Sequence, residues 1–219
     1  MSRTILSLYA TAVPIRAFIA CVWALCLLSP RYVQADSREI PATATEGAPS
    51  FALGVETGLV IPVASKPLCP DDFECLFGVG WGFGFPFSYR WAKGMGLGVG
   101  YEFWLQNGNG VYEATIAQAF TALLRQSFLL DRSVHPVLRL RGGFLMLGPS
   151  FRIATIGGTA EVAFGGEAEL TPTTLFTFLL GGQILRTRAF TTQADGARRS
   201  VAGGVDAALI LRVGIAFLL

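Results

Sequence analysis

The sequence is poor in the residues on which many enzyme and metal sites depend. Histidine occurs once, as His135. A Gly-x-Ser-x-Gly elbow, a His-Glu-x-x-His motif and a phosphate-binding glycine loop are all missing. These absences argue against catalysis, and we expect neither a metal nor a cofactor.

Basic residues are also scarce once the N-terminus is set aside. Arg3 and Arg16 precede an apolar stretch over residues 17–28, and Val33-Gln34-Ala35 supplies small residues at the spacing that a signal peptidase reads. We therefore expect residues 1–35 to be a cleaved signal peptide. The alternative is a signal anchor, although the stretch falls short of the roughly 20 apolar residues of a helical span.

Removal of the signal peptide changes the charge of the chain. The 17 basic and 15 acidic residues become 14 and 15, because the signal peptide contains three arginines and no acidic residue. A net charge of −1 provides no basic footprint, so we expect no nucleic-acid partner. Residues 36–50 contain Pro41, Gly47 and Pro49, which predict a flexible periplasmic leader.

Long apolar runs are lacking after residue 35. The most apolar stretches are interrupted by Arg139 and Arg141, or by Asp206 and Arg212, and none reaches about 18 residues. This excludes transmembrane helices. The other structure that satisfies every backbone group within hydrocarbon is a closed β-barrel.

The chain has instead a strict two-residue alternation. Bulky apolar side chains alternate with glycine and small residues over 75–90 and again over 95–105. Successive side chains of a strand point to opposite faces, so each run has one bulky face and one that is mostly glycine. No helix or second sheet remains to cover so many aromatic residues. An apolar outer face is the pattern of a transmembrane β-barrel. A soluble lipocalin-like barrel, with its apolar face inward, is an alternative.

Eight such segments are predicted, and they define the fold class. It is all-β, an eight-stranded antiparallel up-and-down transmembrane β-barrel over residues 51–219. An even strand number and alternating short and long connections place both termini on the periplasmic side. A helix over 114–130 is the alternative for the fourth segment. The segments are 51–61, 75–90, 95–105, 111–128, 134–147, 159–170, 174–186 and 204–219.

The leader, the eight segments and the alternating C-terminus resemble the small outer-membrane β-barrel proteins of the OmpA and OmpX kind. This chain ends Phe217-Leu218-Leu219, so the phenylalanine that usually ends such proteins stands two places early. The resemblance implies a monomer in the bacterial outer membrane, inserted by the barrel-assembly machinery among lipids and lipopolysaccharide. Lipid A deacylases of similar size have a serine two residues after their histidine, and His135 has none.

Charged residues on the predicted inner faces form a candidate site. The interior of an eight-stranded barrel is just wide enough for side chains to fill it, and unpaired charges there would cost several kcal/mol. We interpret these residues as a salt-bridged plug in a protein with a structural or surface-interaction role. The alternative is a narrow porin-like channel, or a carrier for small solutes or an apolar ligand. The predicted network is Glu56, Glu102, Glu113, Arg125, Arg139, Arg141, Glu161, Asp206 and Arg212, with Arg90, Glu167 and Glu169 facing the same side.

Two outer loops carry further candidates. Cys69 and Cys75 flank an acidic tip, and the oxidising periplasm favours a disulfide worth roughly 2 kcal/mol. A metal site built on these cysteines and the neighbouring acids is the alternative, but the spacing matches no standard zinc pattern. The fourth outer loop is bracketed by candidates for lipopolysaccharide contact, because guanidinium groups suit phosphate. They are Arg186, Arg188, Arg198 and Arg199.

Overall fold

The computed structural model describes residues 49–107, 110–112, 114–149, 152–201 and 203–219. The predicted signal peptide and nearly all of the predicted periplasmic leader lie outside these residues. The described part contains strands, turns and bends, and no helix in it is long and apolar enough to cross a membrane.

Ten strands are present in the described residues, and eight of them close into an antiparallel barrel. Around the barrel the order is β1-β10-β7-β6-β5-β4-β3-β2, whereas β8 and β9 form a separate ribbon. The predicted eight-stranded up-and-down barrel is thereby confirmed. The strands are β1 Ser50–Ala64, β2 Gly80–Arg90, β3 Met95–Gln106, β4 Thr115–Ser127, β5 Val134–Pro149, β6 Thr155–Thr171, β7 Thr174–Thr187, β8 Phe190–Thr191, β9 Arg198–Arg199 and β10 Asp206–Leu218.

The connections differ in length between the two ends of the barrel. The connections 91–94, 128–133 and 172–173 lie on the side of the barrel where β1 begins and β10 ends. We call this side the turn end. The other connections lie at the opposite, loop end and include 65–79 and 188–205. The two longest connections lie at the loop end, as predicted, whereas the 150–154 connection at that end is shorter than the predicted loop and shorter than the 128–133 turn.

The strand assignment of the fourth segment is confirmed over its helical alternative, and the start of the second segment needs correction. Residues 114–130 were open to a helical interpretation, but the structure has strand β4 there. Residues 75–79 continue the alternation of β2 but belong to the loop before it. Phe77, predicted to face outward, is buried, because the chain enters the barrel mouth at this point and packs its apolar side chains inside.

The outer surface of the barrel is apolar. Phe83, Phe85 and Phe87 of β2 are between 40 and 46% exposed, and Val99 of β3 is 60% exposed. Phe51 of β1 stacks on Phe87 with 5.6 Å between the ring centroids. These side chains point away from the interior, as predicted for a barrel with lipid around it, and the alternative with an inward apolar face is wrong for them.

Candidate functional site in the barrel interior

Six charged side chains from five strands meet in the middle of the barrel, and we call them the charge ring. Each occupies a strand position whose side chain points into the barrel, and each is at most 7% exposed. They were all predicted to face the lumen. The charge ring consists of Glu56 of β1, Glu102 of β3, Arg139 and Arg141 of β5, Glu161 of β6 and Arg212 of β10.

Two arginines of the charge ring each bridge two carboxylates. Arg141 donates to Glu56 Oε2 at 2.8 Å and to Glu102 Oε1 at 2.5 Å. Arg212 donates to Glu102 Oε2 at 2.7 Å and to Glu161 Oε2 at 2.5 Å. Guanidinium groups have several donors in a fixed fork, which allows one arginine to hold two carboxylates at once.

Arg139 closes the ring. It donates to Glu56 and, at 3.3 Å, to Glu161 Oε1. Positive and negative groups therefore alternate around a closed circuit with no net charge. Trp104 covers one side of the circuit, because its Nε1 donates to Glu102 Oε2 at 3.0 Å and its ring lies 4.7 Å from the Arg212 Cζ atom.

A second charged cluster, the Glu167 cluster, lies nearer the turn end. Glu167 of β6 accepts from Arg125 at 2.5 Å, from Arg90 at 3.3 Å and contacts His135 Nε2 at 3.1 Å. Arg125 also donates to the Ser127 hydroxyl at 2.9 Å. Arg125 was predicted in one network with the ring, but its carboxylate partner is Glu167. His135 was not predicted as a member, although it shares the inward parity of Arg139 in the same strand.

Between the charge ring and the loop end the interior contains a buried apolar layer, together with buried polar side chains such as Gln106, Gln183 and Asp206. Inward side chains of the strands, including Val60, Leu147 and Ile210, pack in one buried cluster with Trp104. The loop before β2 adds side chains to the same cluster, namely Leu68, Leu76 and Phe77. Alternation places Val60, Trp104 and Ile210 on the inner faces of their strands, as observed, but it does not describe the part of the layer that Leu68 and Phe77 add from the loop.

Asp206 of the predicted network lies apart from the charge ring, and Glu113 is not among the described residues. Asp206 is buried at the loop end of β10, where it accepts a hydrogen bond from the Leu68 backbone N–H at 3.2 Å, so it does not join the charge ring.

The predicted loop arginines divide into two groups. Arg199 is fully buried and donates to the Leu68 carbonyl at 2.5 Å, to Thr192 at 2.7 Å and to Asp195 at 2.5 Å. It therefore ties the 188–205 connection to the first loop and cannot reach a surface phosphate, which corrects its proposed role. Burial raises the pKa of Asp195, but the Ala197 N–H and Arg199 hold it below its usual value.

The remaining loop features lie at the surface or at its edge. Arg186, Arg188 and Arg198 are exposed. Cys69 and Cys75 form the predicted disulfide. Among the described residues, no group of three or more histidine, cysteine or acidic side chains is arranged to hold a metal ion.

No family model and no curated protein matches the sequence. The structure is similar to Neisserial surface protein A (NspA), with a TM-score of 0.52 and 14% identity over 78% of this chain and 98% of that one. OprG, an outer membrane protein of Pseudomonas aeruginosa, has a TM-score of 0.49 and 13% identity over 80% of this chain and 98% of its own. Ail of Yersinia pestis, its attachment invasion locus protein, has a TM-score of 0.39 and 13% identity over 80% and 100%. By its fold the chain is therefore a small closed eight-stranded antiparallel β-barrel, similar to that of NspA.

Proposed function

We propose that the protein is a non-enzymatic integral protein of the bacterial outer membrane, with a closed lumen and a structural or surface-interaction role. The observation that carries the proposal is the charge ring, which joins side chains of five strands across the interior. An apolar outer surface with charged residues enclosed is the arrangement that a lipid environment selects. We propose further that the signal peptide directs export, that the barrel-assembly machinery inserts the protein, and that the protein is a monomer.

The interior supports closure at three levels. Each guanidinium of the charge ring is held by two carboxylates, the apolar layer with Leu76 and Phe77 fills the loop end, and the Glu167 cluster lies toward the turn end. A hydrated ion would have to separate buried ion pairs and cross the apolar layer, and both steps are costly.

Conductance in planar bilayers tests the closed lumen. We expect no single-channel steps from the wild-type protein, and none from Arg139→Ala or Arg141→Ala, because the apolar layer still closes the loop end after either substitution. Folding of each sample is checked by its migration on a detergent gel with and without boiling. Open steps in the wild type, or conductance that rises in either variant, would support the channel alternative instead.

The contacts of His135 argue against catalysis by this histidine. Its Nε2 contacts Glu167 at 3.1 Å, and its Nδ1 contacts the Arg132 carbonyl at 3.3 Å. Both ring nitrogens are therefore engaged, and neither is placed to take a proton from a serine, as acyl transfer by a serine and histidine pair requires.

The exposed arginines of the loop end support contact with lipopolysaccharide. Arg186 is the second-last residue of β7, at the loop end of the strand. Arg188 follows β7, and Arg198 lies in β9. In the outer membrane these guanidinium groups would meet the phosphates of the lipopolysaccharide, which they can bind through two parallel hydrogen bonds.

Replacement of the three exposed arginines with glutamine tests this contact. We expect the triple variant at Arg186, Arg188 and Arg198 to bind lipopolysaccharide about tenfold more weakly, since each exposed ion pair contributes a few tenths to about 1 kcal/mol. Binding is measured by native mass spectrometry of the detergent-solubilised barrel titrated with lipopolysaccharide. Arg132→Gln, an exposed arginine at the turn end, is the matched control and should bind like the wild type. Equal affinities for the triple variant and the control would remove the arginine contact from the proposal.

A further inference from the structure

A small cavity of about 30 Å³ lies inside the barrel, next to the charge ring. Its lining combines charged and hydroxyl side chains from both charged groups of the interior with small apolar residues. The polar lining residues are Glu56, Ser88, Arg125, Arg139 and Thr177. The volume admits one or two particles of the size of a water molecule.

Two of the lining arginines have a hydrogen-bond donor left over. Arg125 is 8% exposed and Arg139 is 4% exposed. Their terminal nitrogens contact carboxylates, but the buried Nε of each has no hydrogen-bond partner among the described residues, as is also true of Arg141 and Arg212, which do not line the cavity. Buried donors are nearly always satisfied in folded proteins, so each of these groups calls for a partner that the chain itself does not supply.

The charges around the cavity are not balanced. The charge ring has as many carboxylates as guanidinium groups, and both oxygens of Glu56 are already bound by arginines. The Glu167 cluster has one carboxylate against the two guanidinium groups of Arg90 and Arg125. Glu169 acts on Arg90 from the turn end, but it is exposed and screened by solvent. The interior on this side of the ring therefore has an excess of positive charge.

We propose that the cavity binds one small monovalent anion of the halide class, held between Arg125 and Arg139. The Nε–H groups of the two arginines would donate to the anion, and the hydroxyls of Ser88 and Thr177 are further donors in the same lining. The size of the cavity excludes phosphate, sulfate and organic acids. The anion would complete the charge balance of the interior.

Bromide in place of chloride provides the direct test. Crystals of the detergent-solubilised barrel grown or soaked in bromide should show an anomalous-scattering peak within hydrogen-bond distance of both Arg125 and Arg139. Density without anomalous signal at this position would mean that water alone fills the cavity, and the proposal would be wrong.

Anion-specific stabilisation provides the test in solution. At equal ionic strength, chloride should raise the thermal unfolding midpoint of the wild type above its value in gluconate, which is too large for the cavity, and the shift should saturate with concentration. Arg125→Gln and Ala216→Leu, which fills the lining without changing charge, should lose this difference. Arg186→Gln at the surface should keep it.

The two measurements together separate the outcomes. If Arg125→Gln fails to fold, the wild type and Ala216→Leu still decide the question. A bromide peak with no chloride-dependent shift at physiological concentration would indicate an adventitious ion only, and this outcome also overturns the proposal.

Discussion

Replacement of Glu102 with leucine should destabilise the folded barrel by about 3–5 kcal/mol, the usual cost of removing one partner from a buried ion pair. Glu102 is 1% exposed and binds both Arg141 and Arg212. Its loss opens the charge ring and leaves each arginine with one carboxylate fewer in a space that water cannot enter freely. Trp104 also loses the acceptor for its Nε1–H.

Urea titration of the barrel refolded into lipid vesicles measures this effect. The matched control is Glu169→Leu, which removes an exposed carboxylate from the turn end and should shift the free energy of unfolding by less than about 0.5 kcal/mol. Equal unfolding midpoints for Glu102→Leu and the wild type would show that the charge ring does not hold the interior together.

A double variant separates charge imbalance from lost packing. In Glu102→Leu with Arg212→Leu, the ring keeps two carboxylates and two arginines, so its charges balance again. Because replacement of a whole buried pair by apolar side chains is often neutral, the double variant should recover most of the loss. Destabilisation equal to the sum of the two single variants would contradict this explanation.

The inward orientation of the charge-ring residues could be predicted from the sequence, but their pairing could not, and neither could the separation of Arg125 and Asp206 from the ring. Strand parity gives the face on which a side chain lies, whereas partners depend on the stagger of strands around the closed barrel. Arg139 lies opposite Arg125 in the ladder of β4 and β5, a pairing of like charges that would be unfavourable if the two side chains met. Arg139 instead reaches across the lumen to Glu56, 83 residues away in the sequence.

The loop end was the part least accessible to sequence reasoning. Phe77 and Leu76 continue an alternating run, and nothing local distinguishes a buried loop position from an outward strand position. Arg199 similarly has the composition of a surface arginine, yet it binds the Leu68 carbonyl of a loop 131 residues away. Such contacts depend on how two loops pack together, which periodicity does not encode.

A pair of glycines in β7 shows where a close approach of two strands requires glycine and where it does not. Gly181 and Gly182 are neighbours in β7, and the first faces the interior while the second faces outward. A Cβ atom added to Gly181 would lie 2.2 Å from the Val162 carbonyl oxygen and 2.7 Å from the Ala163 Cα atom of β6. A Cβ added to Gly182 would meet nothing within 4 Å.

Gly181→Ala should therefore destabilise the barrel by about 3 kcal/mol, because overpacking typically costs 1–3 kcal/mol and both obstructing atoms belong to the backbone, which cannot rotate away.

Gly182→Ala makes the same chemical change one residue later and should be neutral or stabilising by up to about 1 kcal/mol, since alanine restricts the unfolded chain more than glycine does. Urea titration in lipid vesicles and gel migration before boiling compare the two variants with the wild type. If both alanines were equally tolerated, β6 and β7 would have to lie farther apart than in the structure. If both were equally harmful, the closeness of β6 and β7 at Gly181 could not be the cause, because Gly182 has no such neighbour.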